Sequence, residues 1–259
     1  MNPQTADQTS GALDGVRAAD GTADGPDAAD AADAMDAVDT AGEAADEAGA
    51  GNLDEAWRAI APAAARRLLI AAVEAFTVHG YQATTTRDIA SRAGLSPAGV
   101  YVHFRSKEEL LYRICLIGHQ QTLALIRTTA AGSAGDGGDR DGGDHAARLA
   151  ALIGAFTARQ AKYHDVARVI EYDLHCLSAE HHAEISELRR EIDRLVRELL
   201  ADGAAAGSFD VPDPAGTALA LLSLCTDVAR WYHSSARRPP EELGRLYADL
   251  ALRMVRPPG

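Results

Sequence analysis

The stretch AAVEAFTVHGYQATTTRDIASRAGLSPAGVYVHFRSKEELL, residues 71–111, determines the fold that we predict for this chain. Thr85, Ser96 and Ser106 each precede a helical segment, and each is followed by an acidic residue or a proline at the offset typical of a helix start. Gly94 lies between the first two of these segments. A short helix, a Gly-containing turn and a second short helix are the units of a helix-turn-helix.

The residues on either side of this motif predict further helices. Upstream, a one-sided apolar stripe from Leu68 to Phe76 predicts a helix over 56–79 that Gly80 ends, after which Tyr81 packs back beneath the next helices. Downstream, apolar periodicity predicts helices from Lys107 to about residue 129 and then over 146–162, 165–177, 180–202, 213–234 and 240–256. The predicted fold is all-α, with an N-terminal three-helix helix-turn-helix domain and a larger C-terminal helical bundle, about nine helices in total.

Charge is distributed unevenly along the chain, whose formal net charge is −13. Residues 1–56 carry 14 acids and one base, a net charge of −13, whereas residues 57–113 carry eight bases and four acids, a net charge of +4. The basic block therefore contains the motif, which favours DNA binding because phosphates respond to local charge. The acidic Ala/Asp/Gly segment 1–55 is predicted to be disordered, either as an inert tail or as an arm that competes with DNA.

These patterns divide the chain into three predicted parts. They are the tail 1–55, a DNA-binding domain over 56–106, and an effector-binding and dimerisation domain over 107–257. The last contains a Gly/Asp segment at 130–145 that we interpret as a mobile linker.

Other classes of protein are not indicated. The three cysteines lie far apart without a CxxC pair, so we expect buried small residues and neither zinc ligands nor disulfides. Asp139 and Asp141 alternate in the linker, but Gly143 follows and no Glu closes a calcium loop. Because no signal peptide, membrane span or catalytic motif is visible, we predict a cytoplasmic protein that is not an enzyme and needs no metal or cofactor.

The stretch 71–111 resembles the N-terminal domain of the TetR family of transcriptional regulators. That pattern is a helix ending in Phe-x-x-x-Gly-Tyr, a Thr-started helix with Ile-Ala, then Ala-Gly-Val-Ser and Tyr-x-His-Phe-x-x-Lys-x-x-Leu; here Leu95 replaces the usual Val. The resemblance implies the following DNA-contacting residues: Thr85, Thr86, Arg87, Ser96, Pro97, Ala98, Gly99, Tyr101, His103 and Lys107.

The resemblance also implies a role for each residue. Thr86, Tyr101 and His103 are expected to contact phosphates, and Lys107 to ion-pair with another. Arg87 is expected to reach a guanine edge or a phosphate. Residues 96–99 are expected to face the major groove, where Pro, Ala and Gly side chains offer only apolar contact. Specificity is then expected to depend on Arg87, on Ser96 and on DNA shape.

The C-terminal half has two apolar stripes typical of a dimer interface. In the TetR family the last two helices of each subunit form a four-helix bundle across a two-fold axis, so we expect a homodimer and a palindromic double-stranded DNA operator. The predicted dimerisation residues are Leu219, Leu222, Thr226, Ala229, Leu243, Leu246, Tyr247, Leu250 and Met254.

The middle helices are expected to enclose a small-molecule effector. Polar residues within apolar stripes are the candidates, although each is equally consistent with a surface or core role: Arg168, Tyr172, His175, Trp231 and Tyr232. The region also resembles effector domains of TetR regulators of fatty-acid and sterol catabolism, which implies acyl-CoA as one candidate effector. Arg189, Arg190 and Arg194 would then contact phosphates, or else form a solvated helix face.

The expected function is ligand-responsive repression of transcription. Two alternatives remain open at this stage. One is a helical small-molecule-binding protein or enzyme on the same scaffold without DNA function, against which the intact run from Tyr101 to Lys107 argues. The other is an architectural or activating DNA binder without an effector, against which the long C-terminal half argues.

Overall fold

The computed structural model describes residues 53–131, 145–233 and 235–255. Within these ranges the chain forms helices and connecting turns without a β-strand. After a helical turn at residues 53–56, the described ranges contain nine longer α-helices: α1 (Ala63–Ala83), α2 (Thr86–Arg92), α3 (Pro97–His103), α4 (Lys107–Ala131), α5 (His145–Lys162), α6 (His164–Asp173), α7 (Ala179–Ala205), α8 (Pro214–Trp231) and α9 (Pro240–Met254). The predicted all-α class is confirmed. Nearly all of the acidic tail and most of the Gly/Asp linker lie outside the described residues.

The first helix begins later than the sequence predicted. α1 starts at Ala63 rather than at residue 56, because Pro62 lacks the backbone N–H that a helix interior requires. At the predicted end, Gly80 interrupts α1 with φ of 76° and ψ of 155°, outside the helical region, and a short helical segment follows to Ala83. The chain turns there, and the buried ring of Tyr81 packs 5.2 Å, centroid to centroid, from that of Phe76.

The predicted helix caps are present. Thr85 caps α2, and the Ser96 Oγ accepts the Gly99 N–H at 3.2 Å at the start of α3. At the start of α4, the Ser106 Oγ accepts the Glu109 N–H at 3.0 Å. These side chains satisfy N–H groups that every helix start leaves unpaired, so the helix-turn-helix is specified locally by its sequence.

Two large apolar clusters form the interior, and α4 and α7 contribute to both. The first contains the fully buried Ile89 and Val100 of the helix-turn-helix together with Ile114 of α4 and Ile185 of α7. The second joins α4 and α7 to α5, α8 and α9. The helix-turn-helix therefore packs directly on the helices that follow it.

α5 and α9 cross closely at two glycines. A Cβ added to Gly244 would overlap the carbonyl oxygen of Gly154, whereas a Cβ added to Gly154 would lie 3.4 Å from the carbonyl oxygen of Gly244. The backbones thus approach each other where a larger residue at position 244 has no space.

Further predictions concern the burial of the cysteines, membrane-spanning helices and metal ligands. Cys115 and Cys225 are buried as expected, but Cys176 is only partly buried, because it lies in a short 3₁₀ turn after α6 where the Gln82 Nε2 contacts its Sγ at 3.4 Å. Over the three described ranges, no helix is long and apolar enough to cross a bilayer. In the same ranges no three His, Cys, Asp or Glu side chains are grouped to hold a metal ion.

Candidate DNA-binding surface and effector cavity

The start of α2 is closed by a reciprocal capping box. The Thr85 Oγ1 accepts the Asp88 N–H at 3.2 Å, and the Asp88 Oδ2 accepts the Thr85 N–H at 2.9 Å and its hydroxyl at 2.6 Å. These bonds from Thr85 hold the pKa of the Asp88 carboxyl below its usual value. The Thr85 hydroxyl is therefore occupied as a cap, and the prediction that its side chain contacts DNA does not fit this arrangement.

Thr86 and Tyr101 place two hydroxyl groups side by side. The Thr86 Oγ1 lies 3.2 Å from the Tyr101 hydroxyl oxygen, which joins the first turn of α2 to α3, the second helix of the helix-turn-helix. Tyr101 is 57% exposed, so its hydroxyl is accessible to a ligand. Two adjacent O–H donors at a helix N-terminus form an arrangement suited to an anionic oxygen.

The exposed face of α3 is almost entirely apolar. Pro97 and Ala98 are exposed, Gly99 is partly exposed, and Val102 is 78% exposed. Sequence reasoning missed Val102, although it lies one helical turn after Ala98 and could have been placed on the same face by that spacing. Because the exposed face of α3 has so few polar groups, most of the contacts it can form are apolar.

Two other predicted contact residues lie at the edges of this surface. Arg87 is exposed and forms no hydrogen bond or ion pair within the described ranges. His103 is partly exposed in the last turn of α3. Both positions are compatible with the predicted contacts.

Lys107 is directed inward, which differs from its predicted role. Its Nζ donates to the carbonyl oxygens of Tyr81 at 2.6 Å and Thr84 at 2.8 Å, and lies 3.4 Å from that of Gln82. It also lies 4.2 Å from the centroid of the Tyr81 ring, and burial lowers the pKa of its ammonium group. All three N–H donors thus hold the turn after α1, an arrangement that leaves none for the predicted phosphate ion pair.

Replacing Lys107 with Met should lower the free energy of unfolding by about 2 kcal/mol, because charge-assisted bonds to carbonyl groups are lost. Chemical denaturation of the variant at fixed protein concentration measures this. Arg105→Met is the matched control, since the Arg105 side chain is exposed, and its stability should stay within about 0.5 kcal/mol of wild type. Equal losses in the two variants would contradict a structural role for Lys107.

The next residue, Glu108, contacts the C-terminal half of the chain. Its Oε1 accepts the Ser178 N–H at 2.9 Å and lies 2.8 Å from the His181 Nδ1 at the start of α7. The Tyr112 ring stacks on the His181 ring with centroids 3.7 Å apart. The first two turns of α4 therefore bind the segment that follows α6.

A cavity of about 520 Å³ lies among α4, α5, α6, α7 and α8. Two of the five predicted effector residues, Arg168 and Tyr172, line it. The other three do not: His175 lies in the 3₁₀ turn beyond α6, Trp231 is exposed at the end of α8, and Tyr232 is buried with its hydroxyl donating to the Arg238 carbonyl.

Sequence reasoning also missed polar residues that line the cavity. They come from α4, α5 and α7 and include His119, Thr122, Arg159, Gln160 and Asp193. Their helical spacing made them look like ordinary polar interruptions of long amphipathic helices. Only the packing of five helices reveals that they face one space.

The predicted dimer stripes divide between the surface and the interior. Leu219, Leu250 and Met254 are exposed as predicted. The remaining predicted residues pack within the subunit or line its cavity: Leu222, Thr226, Ala229, Leu243, Leu246 and Tyr247. The structure adds Leu224 and Trp231 as exposed apolar residues of α8. α8 is apolar on both faces, so periodicity alone does not separate its exposed face from the face that lines the cavity, and Leu219 belongs to both.

Comparison with known proteins gives matches to both halves of the chain. The family model of bacterial regulatory proteins of the tetR family matches residues 68–114, and that of the tetracyclin repressor-like C-terminal domain matches residues 142–255. A crystal structure of a tetR-family regulatory protein from Rhodococcus RHA1 is 38% identical with a TM-score of 0.68, covering 76% of this chain and 100% of that one.

Two further relatives extend the comparison. The HTH-type transcriptional repressor KstR2 of Rhodococcus jostii is 29% identical, over 71% of this chain and 87% of its own length. The crystal structure of AibR in complex with isovaleryl coenzyme A and operator DNA shares the fold, with a TM-score of 0.63 at 21% identity over 76% of this chain and 100% of that one.

The capped helices and the helical bundle behind them define an all-α protein with an N-terminal helix-turn-helix. The chain belongs to the TetR family of transcriptional regulators. The family prediction is confirmed, and two of the relatives are named as a regulatory protein of the tetR family and a transcriptional repressor.

Proposed function

We propose that this chain is a homodimeric, ligand-responsive transcriptional repressor that binds a palindromic operator and releases it when a small molecule occupies the cavity. The observation that carries the proposal is the hydroxyl pair of Thr86 and Tyr101, 3.2 Å apart, on the exposed side of the helix-turn-helix. A phosphate oxygen can accept from both groups, and the N-terminus of α2 adds a favourable partial charge.

DNA affinity in this proposal comes mainly from backbone contacts. Thr86, Tyr101 and His103 contact phosphates, and Arg87 reaches a phosphate or a guanine edge. α3 enters the major groove with Ser96 at its start and with the apolar residues Pro97, Ala98, Gly99 and Val102. Apolar side chains favour thymine methyl groups, so we expect an A·T-containing half-site.

The dimer in this proposal forms through α8 and α9. The exposed apolar residues Leu219, Leu224, Trp231, Leu250 and Met254 supply its contacts. A monomer rarely leaves so many large apolar side chains in water without a partner. A two-fold axis through these helices would place the two recognition helices about 34–36 Å apart, one turn of DNA.

The effector in this proposal is an amphipathic small molecule in the cavity among α4 to α8. Its volume of about 520 Å³ is in the range of small-molecule sites. AibR, which shares the fold, forms a complex with isovaleryl coenzyme A, so acyl-CoA thioesters are a reasonable first class to test. The dimer can adopt conformations that differ in the separation of its two helix-turn-helix domains. A ligand that binds one of these conformations more tightly raises the population of that conformation.

Replacement of the hydroxyl groups tests the DNA interface. Thr86→Ala and Tyr101→Phe should each weaken binding to the DNA upstream of the gene by about tenfold, because each loses one hydrogen bond to a charged group. Since both act on one phosphate, the double variant should lose less than the product of the single losses. Fluorescence anisotropy at constant salt measures all three.

Thr128→Ala is the matched control for these variants. The Thr128 hydroxyl is exposed on α4 and donates to the Ala124 carbonyl at 2.9 Å, so its loss should leave operator affinity unchanged. Wild-type protein that binds no palindrome in the upstream DNA at low salt would refute the proposed function. Wild-type affinity in Thr86→Ala and Tyr101→Phe would refute the proposed interface.

A further inference from the structure

Four arginines and three carboxylates line the cavity, and each of the carboxylates, Glu171, Asp193 and Asp227, pairs with an arginine. The Arg189 Nη1 lies 3.3 Å from the Glu171 Oε1. The Arg230 guanidinium makes two bonds to the Asp227 carboxylate, at 2.7 and 3.0 Å. These two arginines are neutralised by the protein itself and need no ligand.

Arg159 lies against the cavity without a carboxylate partner in the described ranges. Its Nη2 donates to the neutral Gln121 Oε1 at 2.7 Å, and its guanidinium lies 5.1 Å from the centroid of the Tyr163 ring. Burial lowers the pKa of the Arg159 guanidinium, which reflects the cost of its uncompensated charge. Of its five N–H donors, one has an acceptor among the described residues, so the others remain for a ligand.

Arg168 is the second cavity arginine without a carboxylate partner in the described part of the chain. It makes only long contacts, from Nε to the Ala229 carbonyl and from Nη2 to the Tyr232 carbonyl, each 3.4 Å. A ligand anion competes readily with such contacts, because charge-assisted bonds are shorter and stronger. The cavity thus carries two cations that an anionic group would satisfy.

His119 adds a buried acceptor to the same cavity. It is 6% exposed, and its Nδ1 lies 2.8 Å from the Cys115 carbonyl, so the proton resides on Nδ1. Burial lowers the pKa of the ring to about 4, and the imidazole is neutral at neutral pH. The Nε2 lone pair has no partner within the described ranges. His119 lines the cavity, and its Nε2 is not among the fully buried unpaired atoms of the described residues, so a donor on a ligand can reach this acceptor.

Apolar side chains complete the lining. Phe156, Val166, Ile170, Ile192 and Leu222 surround the polar groups. Ile170 packs directly over Gly118, where a Cβ has no space, so this wall lies close against α4 beside His119. The ligand therefore needs an apolar body as well as a charge and a hydrogen-bond donor.

We propose that the cavity binds a hydroxylated amphipathic anion, with its anionic group on Arg159 and Arg168 and a hydroxyl donating to the His119 Nε2. This inference rests on the effector site of the proposed function and specifies the ligand that the site selects. The anion has two chemical sources, the carboxylate of a free hydroxy acid or the phosphates of its CoA thioester. With either source of the anion, the hydroxyl group of the ligand donates to the His119 Nε2.

Isothermal titration calorimetry on the full-length protein tests this inference. The probes are decanoate, β-hydroxydecanoate, ω-hydroxydecanoate, and the CoA thioesters of decanoate and β-hydroxydecanoate. At least one hydroxylated probe should bind about fivefold tighter than its unhydroxylated counterpart, the effect of one net hydrogen bond. Binding by free acids identifies the carboxylate as the anion, and binding by thioesters alone identifies the phosphates.

Variants assign this preference to residues. His119→Phe should abolish the preference for the hydroxyl, whereas His119→Gln, which retains an acceptor, should keep part of it. Arg159→Gln should weaken every probe by about tenfold. The controls His182→Phe on α7 and Arg113→Gln on α4 alter exposed residues outside the cavity and should bind as wild type does.

Three results would overturn the inference: equal affinity for hydroxylated and unhydroxylated probes, a preference that survives in His119→Phe, or undetectable binding of all five probes. Operator binding without ligand is measured in parallel by fluorescence anisotropy. If only the calorimetric test fails, the proposed repressor function stands. If only operator binding fails, the proposed repressor function is refuted and the proposed ligand site stands.

Discussion

Gly244→Ala should lower the free energy of unfolding by about 3 kcal/mol, because overpacking at a rigid backbone contact cannot be relieved by rotating a side chain. The added Cβ would overlap the Gly154 carbonyl oxygen, so α5 and α9 would have to separate. This loss outweighs the gain of about 1 kcal/mol that Ala normally brings to a helix interior. Urea denaturation at fixed protein concentration measures the change.

Gly154→Ala is the matched control at the same crossing. Its Cβ would lie 3.4 Å from the Gly244 carbonyl oxygen and 3.6 Å from the Ala248 Cβ, distances of ordinary van der Waals contact. We expect stability to be unchanged or raised by up to about 1 kcal/mol through helix propensity. Comparable destabilisation in both variants would show that the crossing is not asymmetric.

Acidification should destabilise the protein through His119. The pKa of the His119 ring is about 4 in the folded state against 6.5 for the unperturbed side chain. Between pH 4 and pH 6.5 the ring is therefore mostly protonated in the unfolded chain and mostly neutral in the folded protein. Stability must therefore fall as pH falls from 6.5 to 4. A separation of this size contributes about 3 kcal/mol over the window.

His119→Phe isolates this contribution from the other titrating groups. The free energy of unfolding is measured by urea denaturation at several pH values from 8 to 4 for the variant and the wild type. The difference between the two should be constant above pH 7 and should change in favour of the variant by about 3 kcal/mol at pH 4. Parallel curves over the whole range would contradict a buried neutral imidazole.

Local signals in the sequence were sufficient to predict the helix-turn-helix. Thr85, Ser96 and Ser106 act within three or four residues of themselves, so their caps formed as predicted. The wrong start of α1 also has a local cause, because Pro62 interrupts a segment that apolar periodicity alone made continuous. The inward direction of Lys107 has no such signal, since its three acceptors lie more than 20 residues earlier.

The cavity could not be predicted because five separate helices form it. Periodicity tells which residues share a face of α8, but not whether that face meets solvent, a partner or the subunit interior. All four α8 residues that the sequence placed at a dimer interface line the cavity within one subunit, and they are Leu219, Leu222, Thr226 and Ala229. His119 and Arg159 lie on different helices, so only their packing brings them to one space.

Two consecutive residues of α4 hold opposite halves of the molecule. Lys107 donates to carbonyl groups in the turn after α1, and Glu108 accepts from the Ser178 N–H at the start of α7. The start of α7 follows α6, and α6 forms one wall of the cavity. The first turn of α4 therefore contacts both segments. In the proposed repressor, these two adjacent side chains and the apolar cluster shared by the helix-turn-helix, α4, α6 and α7 would together connect the end of α6 to α2 and α3.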